Sequence, residues 1–150
     1  MDSYDAKILQ ILQRDGRISN QKLAEAVGLS ASPCLRRVQK LTEEGVIART
    51  VAQLDRQKLG FTILAFVHVS LVDHRPETLK AFDGIVTTAG EILECHALSG
   101  QYDYLLKVVT QDMAHFEQFM THDLLAGRGV NSANTSFVLS QRKNTTALPV

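Results

Sequence analysis

The chain of 150 residues has little cysteine, no long apolar run and no net charge, with 16 Lys and Arg standing against 16 Asp and Glu. Each absence excludes something. Cys34 and Cys95 form no CxxC pair and no cluster with histidine, so neither a structural zinc nor a disulfide framework is indicated, and both are expected as buried or half-buried thiols. The five histidines, at 68, 74, 96, 115 and 122, never recur at the i, i+3 or i+4 spacing that builds a metal site on a helix, so no metal and no cofactor are expected. No apolar stretch reaches the roughly 18 residues of a membrane span. The amino terminus, MDSYDAK, is acidic where a secretory signal would be basic and then apolar, so no membrane partner and a cytoplasmic location are expected.

Zero net charge also removes long-range attraction for nucleic acid, so any such contact must rest on a local patch, repeated in an oligomer. The charge is unevenly spread. Residues 1–58 hold ten Lys and Arg against seven Asp and Glu, and residues 59–150 hold six against nine, giving halves of +3 and −3. With 45% hydrophobic and 21% charged residues the composition is that of a globular protein, and two small domains, 1–58 and 59–150, fit it best.

The first half spells a helix-turn-helix. Tyr4, Ile8, Ile11 and Leu12 give an apolar stripe from about Ser3 to Arg14, with Asp2 and Asp5 where the helix dipole favours negative charge. Ser19 is placed to cap a second helix, Ile18 to close onto Leu23, and Gly28 to end that helix in the left-handed conformation. Leu29 then turns into the core, Ser30 or Ser32 caps a third helix, and Pro33 is tolerated in its first turn. In that helix Leu35, Val38 and Leu41 recur as one buried stripe, while Ser32, Arg36, Arg37, Gln39 and Lys40 project outward. Arg and Lys neutralise phosphates or donate to guanine, Gln pairs with adenine, and serine bonds either phosphate or base. The expected partner is therefore double-stranded DNA, with Asn20, Gln21, Ser30, Ser32, Pro33, Arg36, Arg37, Gln39 and Lys40 as the candidate contacts. The segment VIARTVAQL after Gly45 is β-branched, as a two-stranded wing would be, and Asp55 to Gly60 reads as a connector.

The second half changes period. Residues 61–71 alternate as a strand covered on both faces, a helix opens at Pro76, and EILECHAL gives a second strand. The turn SGQYD leads into YLLKVVT, Asp112 caps a helix bearing Met113, Phe116, Met120 and Leu124, and VNSANTSFVLSQ closes the unit. The fold class is thus α+β: a winged helix-turn-helix followed by a ferredoxin-like βαββαβ domain with both helices on one sheet face. The opposite face, carrying Leu64 and Phe66, calls for cover by a partner subunit.

Two strings, GLSxSPCLRRVxxLxxxGVI and ECHALSGxYDYLLKV, in this order over the whole chain, resemble the Lrp/AsnC family of feast/famine transcription regulators. The resemblance implies homodimers built through the second domain and assembled to tetramers or octamers, with an amino acid or related metabolite bound between these domains. It places that effector at Ser99, Gly100, Gln101, Tyr102, Asp103 and Tyr104. The chemistry of those residues is consistent: a glycine turn leaves N–H groups for a carboxylate, and Asp103 can meet an ammonium. Asn134 and Ser136, polar on a core strand, complete the pocket, and Met113 lines its apolar end. Against the family's common pattern, Gln101 stands where an acidic residue is frequent and Ser136 where an aromatic often sits, leaving the effector's identity open. The closing TTALPV resembles members tied to amino-acid uptake or catabolism.

Two other readings share the architecture. One is a DNA-binding oligomer without an effector. The other is an enzyme similar to sirohaem decarboxylases, which needs cationic groups for eight carboxylates, whereas the second half offers only Arg75, Lys80, Lys107, Arg128, Arg142 and Lys143. The expectation is a regulator and no enzyme.

Overall fold

The computed structural model describes residues 1–127 and 129–150, which gather into two compact units. The first is Met1–Leu54 together with Arg142–Val150, and the second is Asp55–Gln141. The division near residue 55 is close to that expected, but the last nine residues return to the first unit instead of closing the second. With them the first unit holds ten Lys and Arg against six acids, and the second six against ten, +4 and −4.

Three helices build the first unit. Helix α1 (Ser3–Leu12) starts from a capping box in which the Asp2 carboxylate accepts the N–H groups of Tyr4 and Asp5 while Asp5 accepts that of Asp2. Helix α2 (Asn20–Val27) is capped by Ser19 Oγ, 3.3 Å from the Lys22 nitrogen, and ends at Gly28 with φ 76°. There Gly28 and Leu29 N–H groups close on Glu25 and Ala24, so the left-handed residue satisfies the carbonyls at the helix end. Helix α3 (Ala31–Glu43) follows directly. Ile8, Leu9, Leu23, Ala24, Val27, Cys34 and Leu41 form the core, with Ile18, Leu29 and Val38 packed against it.

The α3 stripe differs from expectation. Cys34, Val38 and Leu41 face the core, at spacings of four and three, whereas Leu35 is 45% exposed. Cys34 takes the place expected of Leu35, with Val38 and Leu41 keeping theirs, and the three lie within one helical face. Val46–Leu54 carries no strand, so the β-branched segment expected as a two-stranded wing is irregular here. Ala48-Arg49-Thr50 offers no Gly or Asn for a two-residue hairpin turn, and β-propensity without pairing makes no sheet.

The second unit is a four-stranded antiparallel sheet in the order β2-β3-β1-β4, from β1 (Ile63–Leu71), β2 (Ile92–Ala97), β3 (Tyr104–Thr110) and β4 (Val130–Phe137). Helix α4 (Pro76–Thr88) crosses from β1 to β2, and α5 (Met113–Gln118) with a π-helical continuation (Phe119–Leu124) crosses from β3 to β4. This is the expected βαββαβ order. Ala65, Val67, Val69 and Leu71 alternate onto one sheet face and join Leu106, Val108, Phe82, Phe116, Phe119 and Leu124 in the core. The wide π turn has a packing reason: Phe119 and Leu124, five residues apart, are both fully buried, a spacing that an α-helix would not hold on one face. Met113, expected on that inner stripe, is exposed.

The other sheet face carries Leu64, Phe66, His68 and Ser70. Leu64 is only 4% exposed within the single chain, so it is not the open apolar patch expected of it, while Phe66 is half-buried. Cross-strand rows on this face run His96–Leu105–His68–Asn134 and Glu94–Lys107–Phe66–Ser136. It is a mixed polar and apolar surface in which the Tyr102 ring stacks on His68 at 4.8 Å and Lys107 Nζ lies 2.8 Å from Glu94.

Candidate functional site

Helices α2 and α3 and the tight Gly28 corner between them make the helix-turn-helix, in which the second helix is the one that reads the major groove. Along α3, Ser32, Leu35, Arg36 and Gln39 lie at i, i+3, i+4 and i+7 and are all exposed, so they form one outward face. Lys40 flanks it, with Nζ 3.7 Å from Glu44 one turn on. Leu35 is the member of this face that the sequence pattern hid, because an apolar residue between two core positions reads as a third. Ser30 stands at the N-cap with extended backbone (φ −77°, ψ 158°), yet its hydroxyl makes no capping bond. A hydroxyl at a helix start with its N–H groups uncapped suits a phosphate oxygen. Pro33 is half-buried in the first turn, where its missing N–H costs nothing.

Three of the expected DNA contacts are held otherwise. Arg37 points back to α1: its Nη1 lies 2.8 Å from Asp2 Oδ2 and 2.7 Å from Asp5 Oδ1, with its guanidinium 5.4 Å from the Tyr4 ring centroid. One residue from Arg36 on the helix is about 100° of rotation, which turns Arg37 from the outer face toward the acidic start of α1. The two carboxyls are held below the usual range first by each other's main-chain N–H and then by Arg37. Asn20 donates from Nδ2 to the Ala31 carbonyl at 2.8 Å, pinning the start of α2 to the start of α3, and its Oδ1 is buried without a partner. Gln21 is exposed but lies 3.4 Å from Glu25.

In the second unit the Ser99–Tyr104 turn links β2 to β3. Gly100 has φ 126°, a conformation that strains any side chain, and nothing lies within 4 Å of where a Cβ would sit. The turn is closed by Leu98 N–H on the Asp103 carbonyl and Asp103 N–H on the Val69 carbonyl. Among the described residues, the N–H groups of Ser99, Gly100, Gln101 and Tyr102 have no hydrogen-bond acceptor. The Asp103 carboxylate, expected to be free for an ammonium, is engaged on both oxygens: Oδ2 accepts from Leu71 N–H at 2.7 Å, and Oδ1 lies 2.7 Å from His74 Nε2. The Leu71 N–H first, and His74 second, hold that carboxyl below the usual range.

The rows across the sheet place Asn134 beside His68, on which Tyr102 stacks, and Ser136 one row farther along. Met113 follows the opposite end of β3, roughly 20 Å from the turn at strand rise, so one chain does not bring it to this site. Four of the six cations expected of this half are paired or placed elsewhere. Arg75 is bound to Asp73 at 2.6 Å and Lys107 to Glu94, Arg142 and Lys143 belong to the first unit, and Arg128 lies outside the described residues. Among the described residues no group of three His, Cys, Asp or Glu is placed to hold a metal ion, and no helix is long and apolar enough to cross a membrane.

Comparison with known proteins gives this geometry its context. A winged helix-turn-helix DNA-binding family model matches residues 1–48, and that of the Lrp/AsnC ligand binding domain matches residues 64–148. The chain is 40% identical to the leucine-responsive regulatory protein of Haemophilus influenzae over 99% of this chain and 89% of that protein. It is 36% identical to the DNA-binding transcriptional activator DecR of Escherichia coli over 100% of this chain and 99% of that one. Among solved structures, a transcriptional regulator of Neisseria meningitidis in complex with L-methionine superposes with a TM-score of 0.96 at 40% identity, covering 99% of this chain and 96% of that chain. An AsnC family transcriptional regulator of Agrobacterium tumefaciens gives 0.93 at 41% identity, covering 99% and 97%. With both halves matched in order and full-length relatives at this identity, the chain belongs to the Lrp/AsnC family as a DNA-binding transcriptional regulator with a ligand-binding domain.

Proposed function

We propose that this regulator binds an α-amino acid or a closely related metabolite at the Ser99–Tyr104 turn, that the ligand alters its hold on DNA, and that its targets serve amino-acid metabolism or transport. It acts in the cytoplasm as a homo-oligomer of dimers and performs no catalysis. The observation that carries the ligand reading is the row of unpaired N–H groups at an exposed glycine turn, which suits a carboxylate. Asp103 supplies the complementary charge for an ammonium, which must share or displace the exposed His74 imidazole. The L-methionine bound by the Neisseria relative supports an amino-acid class of ligand. Asn134 on the neighbouring row contributes polar contacts, and Met113 takes part only if another copy delivers it.

A ligand shifts DNA binding only through different affinities for two arrangements of the protein. The test is calorimetric titration of the purified protein with a panel of amino acids, each hit then being added to a DNA-binding assay. A saturable heat that Asp103→Ala abolishes, together with ligand-free DNA affinity that Asp103→Ala leaves intact, is the expected result. A second reading, a DNA-binding oligomer without effector, draws on the engagement of both Asp103 oxygens inside the fold. No heat with any amino acid and DNA binding indifferent to all of them would select it.

A further inference from the structure

The chain end is held by Gln10 of α1 and by Gln13, which caps that helix. Gln13 grips the main chain of Leu148 from both sides: its Oε1 accepts the Leu148 N–H at 2.5 Å and its Nε2 donates to the Leu148 carbonyl at 3.1 Å. One turn earlier on the same helix face, Gln10 Nε2 donates to the Val150 carbonyl at 2.6 Å. Val150 N–H folds back on the Leu148 carbonyl at 2.9 Å. Thr146, Leu148 and Val150 thereby form one wall of a cavity of about 700 Å³ whose other walls are Leu9 and Leu12 of α1 and the strandless Val46–Gln53 segment with Ile47 and Val51.

This contact reads main chain, as the edge of a sheet reads an added strand. It makes little use of side chains, since Leu148 is 70% exposed and Val150 37%. A grip of a few exposed hydrogen bonds with shallow apolar seating is a contact that opens and closes, unlike the core helices beside it. It also has a consequence for connectivity. The tail continues from β4, which carries Asn134 and Ser136, so the ligand-binding unit is joined to the DNA-binding unit both through the Asp55–Gly60 connector and through a releasable hold.

We propose that the groove between α1 and Val46–Gln53 is a binding site for an extended peptide, that its resident is this chain's own segment Asn144–Val150, and that the segment acts as a latch. Charge supports a short polar-to-apolar strand as occupant, because residues 144–150 carry no charged side chain and the groove grips through neutral carboxamides.

The test uses the full-length protein, a variant lacking residues 144–150, and a fluorescent peptide of sequence Asn-Thr-Thr-Ala-Leu-Pro-Val. A tethered tail competes at millimolar effective concentration, so the peptide should bind the shortened protein at least about tenfold more tightly than the intact one. Gln13→Ala in the shortened protein should remove that binding, while circular dichroism reports that the helices persist. Equal peptide binding to intact and shortened proteins, or binding indifferent to Gln13, overturns the proposal. A Gln10→Cys, Val150→Cys pair then identifies the donor of the tail. Oxidation should give a crosslink within one chain, and a covalent dimer would assign the tail to a second copy and overturn the latch.

Discussion

Adjacent arginines on α3 have opposite assignments. Arg36 lies on the outward face with Ser32, Leu35 and Gln39, and Arg37 is a strut to Asp2 and Asp5. Arg36→Ala is expected to weaken DNA binding and, where it meets a phosphate, to flatten the log–log salt slope by about one unit. Arg37→Ala should leave that slope unchanged and lower the melting temperature of the DNA-binding unit. The strut fixes the sign of a pH effect as well. Asp2 and Asp5 have folded pKa values below their ordinary 3.8, so their contribution is complete above that pH and fades as pH falls through the folded values. Arg37→Ala should therefore reduce the acid sensitivity of thermal unfolding below pH 4, measured by circular dichroism; an unchanged acid limb would count against the strut. Leu35 makes a chemical prediction: an apolar group on a groove-reading face meets the thymine methyl. A selected duplex pool copied with dUTP in place of dTTP should bind the wild type several-fold more weakly, and Leu35→Ala should lose most of that difference. At this scale the sequence was only half legible. Residue types announced a basic helix, but which of two consecutive arginines faces outward depends on the acidic start of α1, more than thirty positions away, which takes Arg37.

Helices and strands were more legible than residues because their signals are local. Ser19, Gly28, Pro76 and Asp112 each mark a boundary by main-chain chemistry, and each stands where the structure puts one. Gly28 has φ 76°, so Gly28→Ala should cost about 1 kcal/mol of stability in denaturant unfolding, with open space around the site excluding a clash as the cause. Where partners decide, the pattern misled. The β-branched Val46–Leu54 segment has strand propensity and no strand to pair with, and the tail that lies beside it comes from the far end of the chain. Likewise the stripe of Met113, Phe116, Met120 and Leu124 assumed a uniform helix, whereas the core takes Phe119 and Leu124 across a widened turn. Deleting Thr121 should turn this stretch α-helical with Phe119 and Leu124 four apart and still on one face, so the near-ultraviolet signal and the helicity should both be retained.

For the molecule as a whole, the βαββαβ order was readable because the apolar period switches between 2 and 3.6 four times along the second half, with a glycine turn marking the break between the two central strands. The ligand site was readable only as a turn, since Asp103's engagement with Leu71 and His74 involves residues about thirty positions away. The open sheet face, with Phe66 between Lys107 and Ser136, is the surface proposed for pairing of subunits. Phe66→Lys would set a second cation beside Lys107 and is expected to shift sedimentation to a smaller species; an unchanged coefficient would place the pairing elsewhere. The return of Arg142–Val150 to the first unit has a consequence for handling the protein. Charges of +4 and −4 segregated into two units, with a sum of zero, make copies attract one another without any specific fit. Solubility should pass through a minimum near neutral pH in dilute buffer and rise when salt screens that attraction, so the salt that loosens the regulator's grip on DNA is also what keeps the free protein dispersed.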